Sequence, residues 1–143
     1  MRKLLPLVLV LFACNVFGES KEITELRKKA EAGDAIAQTN LGTAYGRGEG
    51  VPKDSKEALK WWRKAAGEGD TQAQANLSDM YRLGRGVSQN NIAAYVWANM
   101  AVRNGHKQSA KLRDDIAKKI TSAQLKIAKD LSLVCVKTNY KGC

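Results

Sequence analysis

"GDTQAQANLSDMYRLGRGV", residues 69–87, repeats with changes "GDAIAQTNLGTAYGRGEGV", residues 33–51. Ten of the nineteen aligned residues are identical, whereas unrelated segments would share roughly one or two at ordinary residue frequencies. The second copy begins 36 residues after the first (69 − 33 = 36). A fixed period of this size is typical of proteins built from stacked repeats. We therefore expect the chain to be assembled from copies of one structural unit.

Each copy begins with a predicted helix. Apolar residues recur at i, i+4 and i+8, which places them on one stripe of a helix. A Gly-x-Gly-Val sequence follows in both copies, and glycine is typical where a helix must end at a positive φ. The stripe consists of Ala37, Leu41 and Tyr45 in the first copy and of Ala73, Leu77 and Tyr81 in the second.

A second helix follows in each copy. Asp54 and Asn90 stand at matching positions after the glycines, and both are good N-cap residues. Small alanines on the second helix allow close packing, and tryptophans fill the space between layers. Its apolar residues are Ala58, Leu59, Trp61, Trp62, Ala65 and Ala66, then Ala94, Tyr95, Trp97, Ala98 and Ala101. The units span residues 33–68 and 69–104.

Single helices are expected at both ends of the repeats. Residues 19–32 resemble a lone second helix that caps the start, and residues 105–143 read as a degenerate unit. The latter begins with a helix over 108–120. A capping-box sequence then opens a last helix that ends near residue 136. Its expected inward stripe is Leu125, Ala128, Leu131, and Val134 or Cys135. Polar outer faces on the end helices would keep a short stack soluble.

Residues 1–18 are expected to be a signal peptide. Two basic residues precede an apolar run of ten residues, 4–13, and a membrane helix needs about 20. That pattern favours a secretory signal. Cleavage after Gly18 would export a soluble protein; alternatively, residues 11–14 resemble a lipoprotein box that would tether it through Cys14. Losing the two basic residues lowers the net charge from +10 to +8.

Export would leave two cysteines, Cys135 and Cys143. An even pair in an oxidising compartment favours a disulfide. Closing so short a loop would contribute about 2–3 kcal/mol in the chain-entropy model. Two free thiols are the alternative. No histidine or third cysteine stands at ligand spacing, so we expect no metal and no cofactor.

These motifs resemble the Sel1-like repeat family, a relative of the tetratricopeptide repeats. The matching elements are Gly-Asp, Ala-Gln, Leu-Gly, Tyr, Gly-x-Gly-Val, Trp-Trp and Lys-Ala-Ala. The first unit matches closely, and the second matches well although Ser78 stands where glycine is usual. The C-terminal "CVKTNYKGC" also looks like the tail of exported bacterial members. The resemblance implies an all-α fold, a short α-α solenoid of antiparallel helix pairs, and a periplasmic location.

The resemblance also implies a binding groove along the first helix of each unit. When the groove positions of tetratricopeptide repeats are aligned on the anchors Leu41 and Leu77, they give three sets of candidate residues. They are Ile36, Thr39, Thr43 and Arg47, then Gln72, Ala75, Asp79 and Arg82, then Gln108, Lys111, Asp115 and Lys118. An ordinary solvated face is the alternative. If these residues form a binding groove, reversing the charge of Lys111 and Lys118 should weaken the binding of the partner.

The remaining chemistry favours ordinary interpretations. The single histidine, His106, falls in a predicted turn without catalytic partners. The glycine-rich residues 46–50 lack the flanking strand and the Lys-Ser/Thr of a phosphate-binding loop. The late basic excess is either a solvated face or a surface for an acidic partner or an anionic envelope. We expect no nucleic-acid partner.

Three functions follow from the resemblance. The first is a periplasmic protein-interaction module, an adaptor or assembly factor that binds a peptide or helix in its groove. The second is an immunity protein that neutralises a lipase effector of type VI secretion. The third is a weak β-lactamase-like or penicillin-binding protein, but no Ser-x-x-Lys stands on a suitable scaffold, so we expect no enzyme. A homodimer would lengthen the short stack.

Overall fold

A computed structural model of the chain describes residues 18–143, and all of its regular elements are α-helices. The expected signal peptide and the Cys14 alternative lie outside the described residues, apart from Gly18. The helices are α1 (Lys21–Glu31), α2 (Ala35–Arg47), α3 (Ser55–Gly67), α4 (Thr71–Leu83), α5 (Asn91–Arg103), α6 (Ser109–Ala117) and α7 (Ser122–Lys137). Consecutive helices from α1 to α6 pack against each other, and α7 packs against α5. The predicted all-α solenoid is confirmed.

Side-chain caps set the helix starts. Asp34, Asp54, Asp70 and Asn90 each accept a backbone N–H at the start of α2, α3, α4 and α5, as their position in the repeat predicts. The expected capping box is present at the start of α7. The Thr121 hydroxyl accepts the backbone N–H of Gln124, and the Gln124 side chain accepts the backbone N–H of Thr121. The period of the sequence therefore becomes a period of capped helices.

Glycine ends the first helix of each unit. Gly48 and Gly84 have φ of +73° and +66° and cap α2 and α4 in the left-handed conformation. A Cβ at either position would strain the backbone. The chain then reverses, so that α2 runs antiparallel to α3 and α4 to α5.

The core follows the repeated positions. Leu41, Leu77 and Met100 are fully buried, and the alanines of α3 and α5 allow the helices to pack closely. Trp61 and Trp62 are also buried, as expected for residues that fill the space between layers. Burial of these apolar side chains between adjacent helices is the main stabilising contribution to the stack.

An arginine–tyrosine contact recurs along the stack. The Arg27 guanidinium lies 5.7 Å from the Tyr45 ring centroid, and the Arg63 guanidinium lies 5.8 Å from that of Tyr81. Each arginine also donates a hydrogen bond to its tyrosine hydroxyl. The hydrogen bond from Arg27 to Glu19 raises the pKa of Arg27. Each pair joins the second helix of one unit to the first helix of the next.

The last unit differs from its prediction in two ways. Helix α6 covers only Ser109–Ala117, shorter than the expected 108–120. In α7 the buried residues are Ala128, Ser132 and Cys135, whereas Leu131 is 40% exposed and Val134 is 43% exposed. The predicted inward stripe is confirmed at Ala128 and at Cys135, one of the two alternatives for its last position, and is wrong at Leu131, because α7 packs mainly against α5 and buries only a narrow stripe.

Opposite its buried stripe, α7 presents the exposed charged residues Lys126, Asp130 and Lys137, as expected for a polar outer face. Apolar side chains at other positions of the helix are between 40% and 54% exposed. Helical spacing places them on different sides of α7, so they do not form one contiguous face. They are Ile127, Leu131, Leu133, Val134 and Val136. Among residues 18–143, no helix combines the length and apolar character that a bilayer crossing requires.

The C-terminal tail folds back on the stack. The Cα atoms of Cys135 and Cys143 lie 5.1 Å apart, and the structure joins their sulfurs. That separation is within the range of disulfides. The Tyr140 hydroxyl donates a hydrogen bond of 2.9 Å to Asn104 Oδ1. This geometry favours the disulfide over two free thiols.

Candidate functional site

A groove runs along the first helices of the three units. Its first part lies between α2 and α4 and encloses about 460 Å³. Side chains from both helices and from the loops after them form its walls. They are Thr43, Gly46, Arg47, Lys53, Ser55, Trp62, Gln72, Asn76, Met80 and Arg85.

A second depression of about 310 Å³ continues the first between α4 and α6. Gln72 and Asn76 line both parts, so the two depressions adjoin along α4; together we call them the concave groove. The other residues of the second part are Ala75, Asp79, His106, Gln108, Ser109 and Leu112. Helix α4 therefore forms its central ridge.

The floor of the first part is an indole ring held in a fixed position. Trp62 Nε1 donates a hydrogen bond of 3.1 Å to the backbone oxygen of Thr39. Glycines on α2 leave room for the ring, since a Cβ at Gly42 would lie 2.7 Å from it and one at Gly46 would lie 3.1 Å from it. Met80 completes this floor. Such a floor can receive an apolar side chain of a ligand.

Two amides stand at the centre of the concave groove. Gln72 Nε2 donates a hydrogen bond of 3.1 Å to Asn76 Oδ1. Within residues 18–143 neither side chain makes another hydrogen bond, which leaves Gln72 Oε1 and Asn76 Nδ2 for a ligand. An amide offers both a donor and an acceptor, as the backbone of a bound peptide requires.

The loop edge of the first part is basic. Arg47 ends α2, Lys53 precedes α3, and Arg85 follows α4; we call these three residues the basic edge. Arg47 lies 3.7 Å from Glu49, with both side chains exposed, so the pair screens little of the charge. In the described part of the chain, Lys53 and Arg85 form no ion pair, and no acidic side chain lines this part of the groove.

The second part of the concave groove is more nearly neutral. Asp79 pairs with Arg82 at 2.8 Å. His106 Nδ1 lies 2.8 Å from Ser109 Oγ, a contact between the turn and the start of α6. Ser109 is buried, so its hydroxyl is poorly placed to act as a nucleophile. Within residues 18–143, no group of three or more histidine, cysteine or acidic residues could hold a metal ion.

The structure places half of the twelve predicted groove residues in the concave groove. Five of them lie on α2 and α4, and Gln108 is the residue that precedes α6. The six are Thr43, Arg47, Gln72, Ala75, Asp79 and Gln108. Of the others, Thr39 is buried and donates to the N-cap carboxylate of Asp70 at 2.9 Å. Ile36 is 67% exposed but does not line the concave groove. Arg82 does not line it either and forms an ion pair with Asp79.

The basic candidates of α6 lie outside the concave groove. Lys111 and Asp115 pair at 2.8 Å, and Lys118 lies 3.9 Å from the same carboxylate. The hydrogen bond between the first two residues raises the pKa of Lys111 and lowers that of Asp115. We therefore expect less from charge reversal at Lys111 and Lys118 than from reversal at the basic edge.

The concave groove is completed by further residues that the sequence did not predict. Lys53 and Arg85 stand in loops, whereas the transfer considered only the first helices. Trp62 was assigned to the core, where most of its surface does lie. One signal was present in the repeat itself: Arg85 stands where the first copy has Glu49, and Ala98 stands where it has Trp62.

Comparison with known proteins agrees with this architecture. The Sel1 repeat family model matches residues 35–70 and 71–106, about half of the chain. Each match begins two residues after the unit boundary expected from the sequence. A search of the curated proteins found no significant match. The Sel1 repeat fold is generally a protein–protein interaction module.

Two solved structures are similar to this chain. One is c5321, a protective antigen present in uropathogenic Escherichia coli strains, with 34% identity and a TM-score of 0.78 over 82% of this chain. Another is a Sel1 repeat protein from Oxalobacter formigenes, with 34% identity and a TM-score of 0.59 over 61%. The matches cover 26% and 36% of those longer chains. The repeats, the helical stack and these similarities show that the chain belongs to the Sel1 repeat family.

Proposed function

We propose that the chain is an exported adaptor or assembly factor that holds a segment of a protein partner in the concave groove. The observation that carries the proposal is that two depressions adjoin at Gln72 and Asn76 and follow α2, α4 and the start of α6. The anchors Leu41 and Leu77 are identical in the two copies, whereas Gln72 and Asp79 take the places of Ile36 and Thr43. A surface that varies on a fixed scaffold suits recognition of a specific partner.

The size and lining of the concave groove suit a short peptide. Its parts of about 460 and 310 Å³ are comparable to sites that bind small ligands. Central amides can pair with a peptide backbone, and the Trp62–Met80 floor can receive one apolar side chain. These features favour a segment of a protein over a compact apolar molecule.

A scaffold role agrees with the family. Sel1 repeat proteins are generally scaffolds rather than enzymes. The contact of His106 with Ser109 is accounted for by the turn that precedes α6. We expect nitrocefin hydrolysis by the purified protein to stay at the rate of the buffer.

We propose the periplasm as the place of action, on the strength of the leader sequence. The test is fractionation followed by N-terminal sequencing. A soluble periplasmic protein that begins at Glu19 is the expected result. A membrane-bound protein that begins with a modified Cys14 would instead support the tethered form, and an uncleaved cytoplasmic chain would contradict export.

Site-specific crosslinking tests the groove directly. A photoreactive amino acid would replace Gln108 or Thr43 in the concave groove, and the same replacement at Lys29 would serve as the control. Lys29 is exposed near the end of α1 and lines neither part of the groove. We expect the same protein to be captured from both groove positions and not from Lys29. Capture from the control alone would contradict the proposed binding surface.

Self-association through α7 is a second, separate proposal. Its support is the apolar stripe of Ile127, Leu131 and Val134, which are spaced i, i+4 and i+7 on α7 and are between 40% and 49% exposed. An exposed apolar stripe favours association. Light scattering should show a mass that rises with protein concentration, and Ile127→Lys should abolish the rise. A monomer at every concentration would contradict the homodimer.

A further inference from the structure

We infer that the concave groove selects an acidic segment of its protein partner, with carboxylate side chains at the basic edge and a neighbouring apolar side chain on the Trp62–Met80 floor. This inference rests on the proposed function, because it names the chemistry of the segment that the groove would hold. It goes beyond that function by assigning the source of specificity to three loop and helix-end residues.

The charge of the basic edge is not neutralised by the fold. Lys53 and Arg85 form no ion pair with residues 18–143, and Arg47 has only the exposed Glu49 at 3.7 Å. Every charged side chain that lines this part of the concave groove is positive. Like charges that share one depression repel each other, and anionic groups of a ligand would relieve that repulsion.

The basic edge is not a feature that both units of the chain share. In the second unit, Gln89 takes the position of Lys53, and in the first unit Glu49 takes the position of Arg85. The two cationic residues therefore meet only where the two units face each other. The backbone around them is held closely, since a Cβ at Gly48 would lie 3.1 Å from Lys53 Cβ.

The surrounding groups favour a peptide as the carrier of the carboxylates. Arginine side chains bind carboxylates through paired hydrogen bonds. The amides of Gln72 and Asn76 lie beside the same depression and can pair with a peptide backbone. An acidic segment with one apolar residue would use all three features: cations, amides and the indole floor.

The test is selection from a phage-displayed random peptide library against the mature chain, followed by affinity measurements on the enriched peptides. Arg85→Glu is the main variant, and it should fold because glutamate already occupies the equivalent position 49. Lys29→Glu is the matched control, since it changes the net charge equally and lies outside the concave groove. Gln72→Trp, an exposed position in both parts of the groove, blocks the groove sterically.

We expect the enriched peptides to be rich in aspartate and glutamate. Arg85→Glu should weaken their binding by about tenfold or more, and Lys29→Glu should change it by less than about twofold. Peptides that require an open groove but are not acidic, or that bind Arg85→Glu as well as wild type, would overturn the inference and leave the proposed function standing. If no enriched peptide is lost in Gln72→Trp, the groove itself is not the binding site and both proposals fail.

Discussion

Gly42 on α2 and Trp62 on α3 occupy complementary space. A Cβ on Gly42 would lie 2.7 Å from both Cδ1 and Nε1 of the Trp62 ring, closer than real Cβ contacts allow. In the next unit the corresponding residues are Ser78 and Ala98, and both are buried. There the smaller alanine leaves room for a serine, whose hydroxyl donates a hydrogen bond of 2.7 Å to the backbone oxygen of Ala94. The same packing problem is thus solved in two ways within one chain.

Gly42→Ala should destabilise the fold. The added methyl group meets a rigid indole ring, and overpacking of this kind costs about 1–3 kcal/mol. Urea unfolding followed by circular dichroism measures the free energy of unfolding. Gly67→Ala is the control, because a Cβ there meets nothing within 4 Å, and we expect it to be neutral or slightly stabilising. Equal stability of Gly42→Ala and wild type would show that the contact is not restrictive.

Replacing Gly42 and Trp62 together should cost less free energy of unfolding than the sum of the two single replacements. Trp62→Ala alone removes a buried ring and should cost about 3–5 kcal/mol. Combining it with Gly42→Ser reproduces the pair found in the second unit. We expect a favourable coupling of at least about 1 kcal/mol in the double-mutant cycle. Additive free energies would mean that the two positions do not share space.

The repeat made most of the fold predictable. Helices α2 to α5 follow from the period, because every cap and every anchor occurs twice, and each copy supports the interpretation of the other. The single example of the last unit offered no such check. Its stripe was wrong at Leu131, and it did not decide between Val134 and the buried Cys135. Apolar spacing alone does not show which side a terminal helix turns toward its neighbour.

The site was predictable only in part. Residues on or just before the first helices could be transferred by position, and six of them line the concave groove. Lys53 and Arg85 reach the groove from loops, whose paths depend on the positive φ of Gly48 and Gly84. Thr39 had the expected position on its helix but turns inward to Asp70. Helical spacing gives the face of a residue, and only the packed neighbours decide its exposure.

Removal of the C-terminal disulfide should lower stability moderately. Cys143→Ser opens the loop and should cost about 2–3 kcal/mol in the chain-entropy model. Thermal unfolding with and without reductant measures the effect. The reductant should lower the melting temperature of wild type and leave that of Cys143→Ser unchanged. A wild-type protein that does not respond to reductant would indicate free thiols.

The Lys111–Asp115 pair should be detectable in the acid titration of Asp115. The hydrogen bond from Lys111 lowers the pKa of Asp115. A carboxyl group whose pKa is lower in the folded state stabilises the fold above its unfolded pKa and loses that contribution as the pH falls through its folded pKa. We expect Lys111→Gln to raise the Asp115 pKa, as measured by NMR titration, while Lys126→Gln leaves it unchanged. An unaltered Asp115 pKa in Lys111→Gln would contradict the pairing in solution.

The most direct test of the proposed binding surface is an NMR map of the bound state. An isotope-labelled mature chain would be titrated with a peptide that the library selection enriches. We expect the largest shifts at the backbone amides of Gln72, Asn76 and Arg85 and at the Trp62 indole N–H, with little change along α7. Shifts confined to α7 or to α1, with the amides of α4 unmoved, would contradict binding in the concave groove.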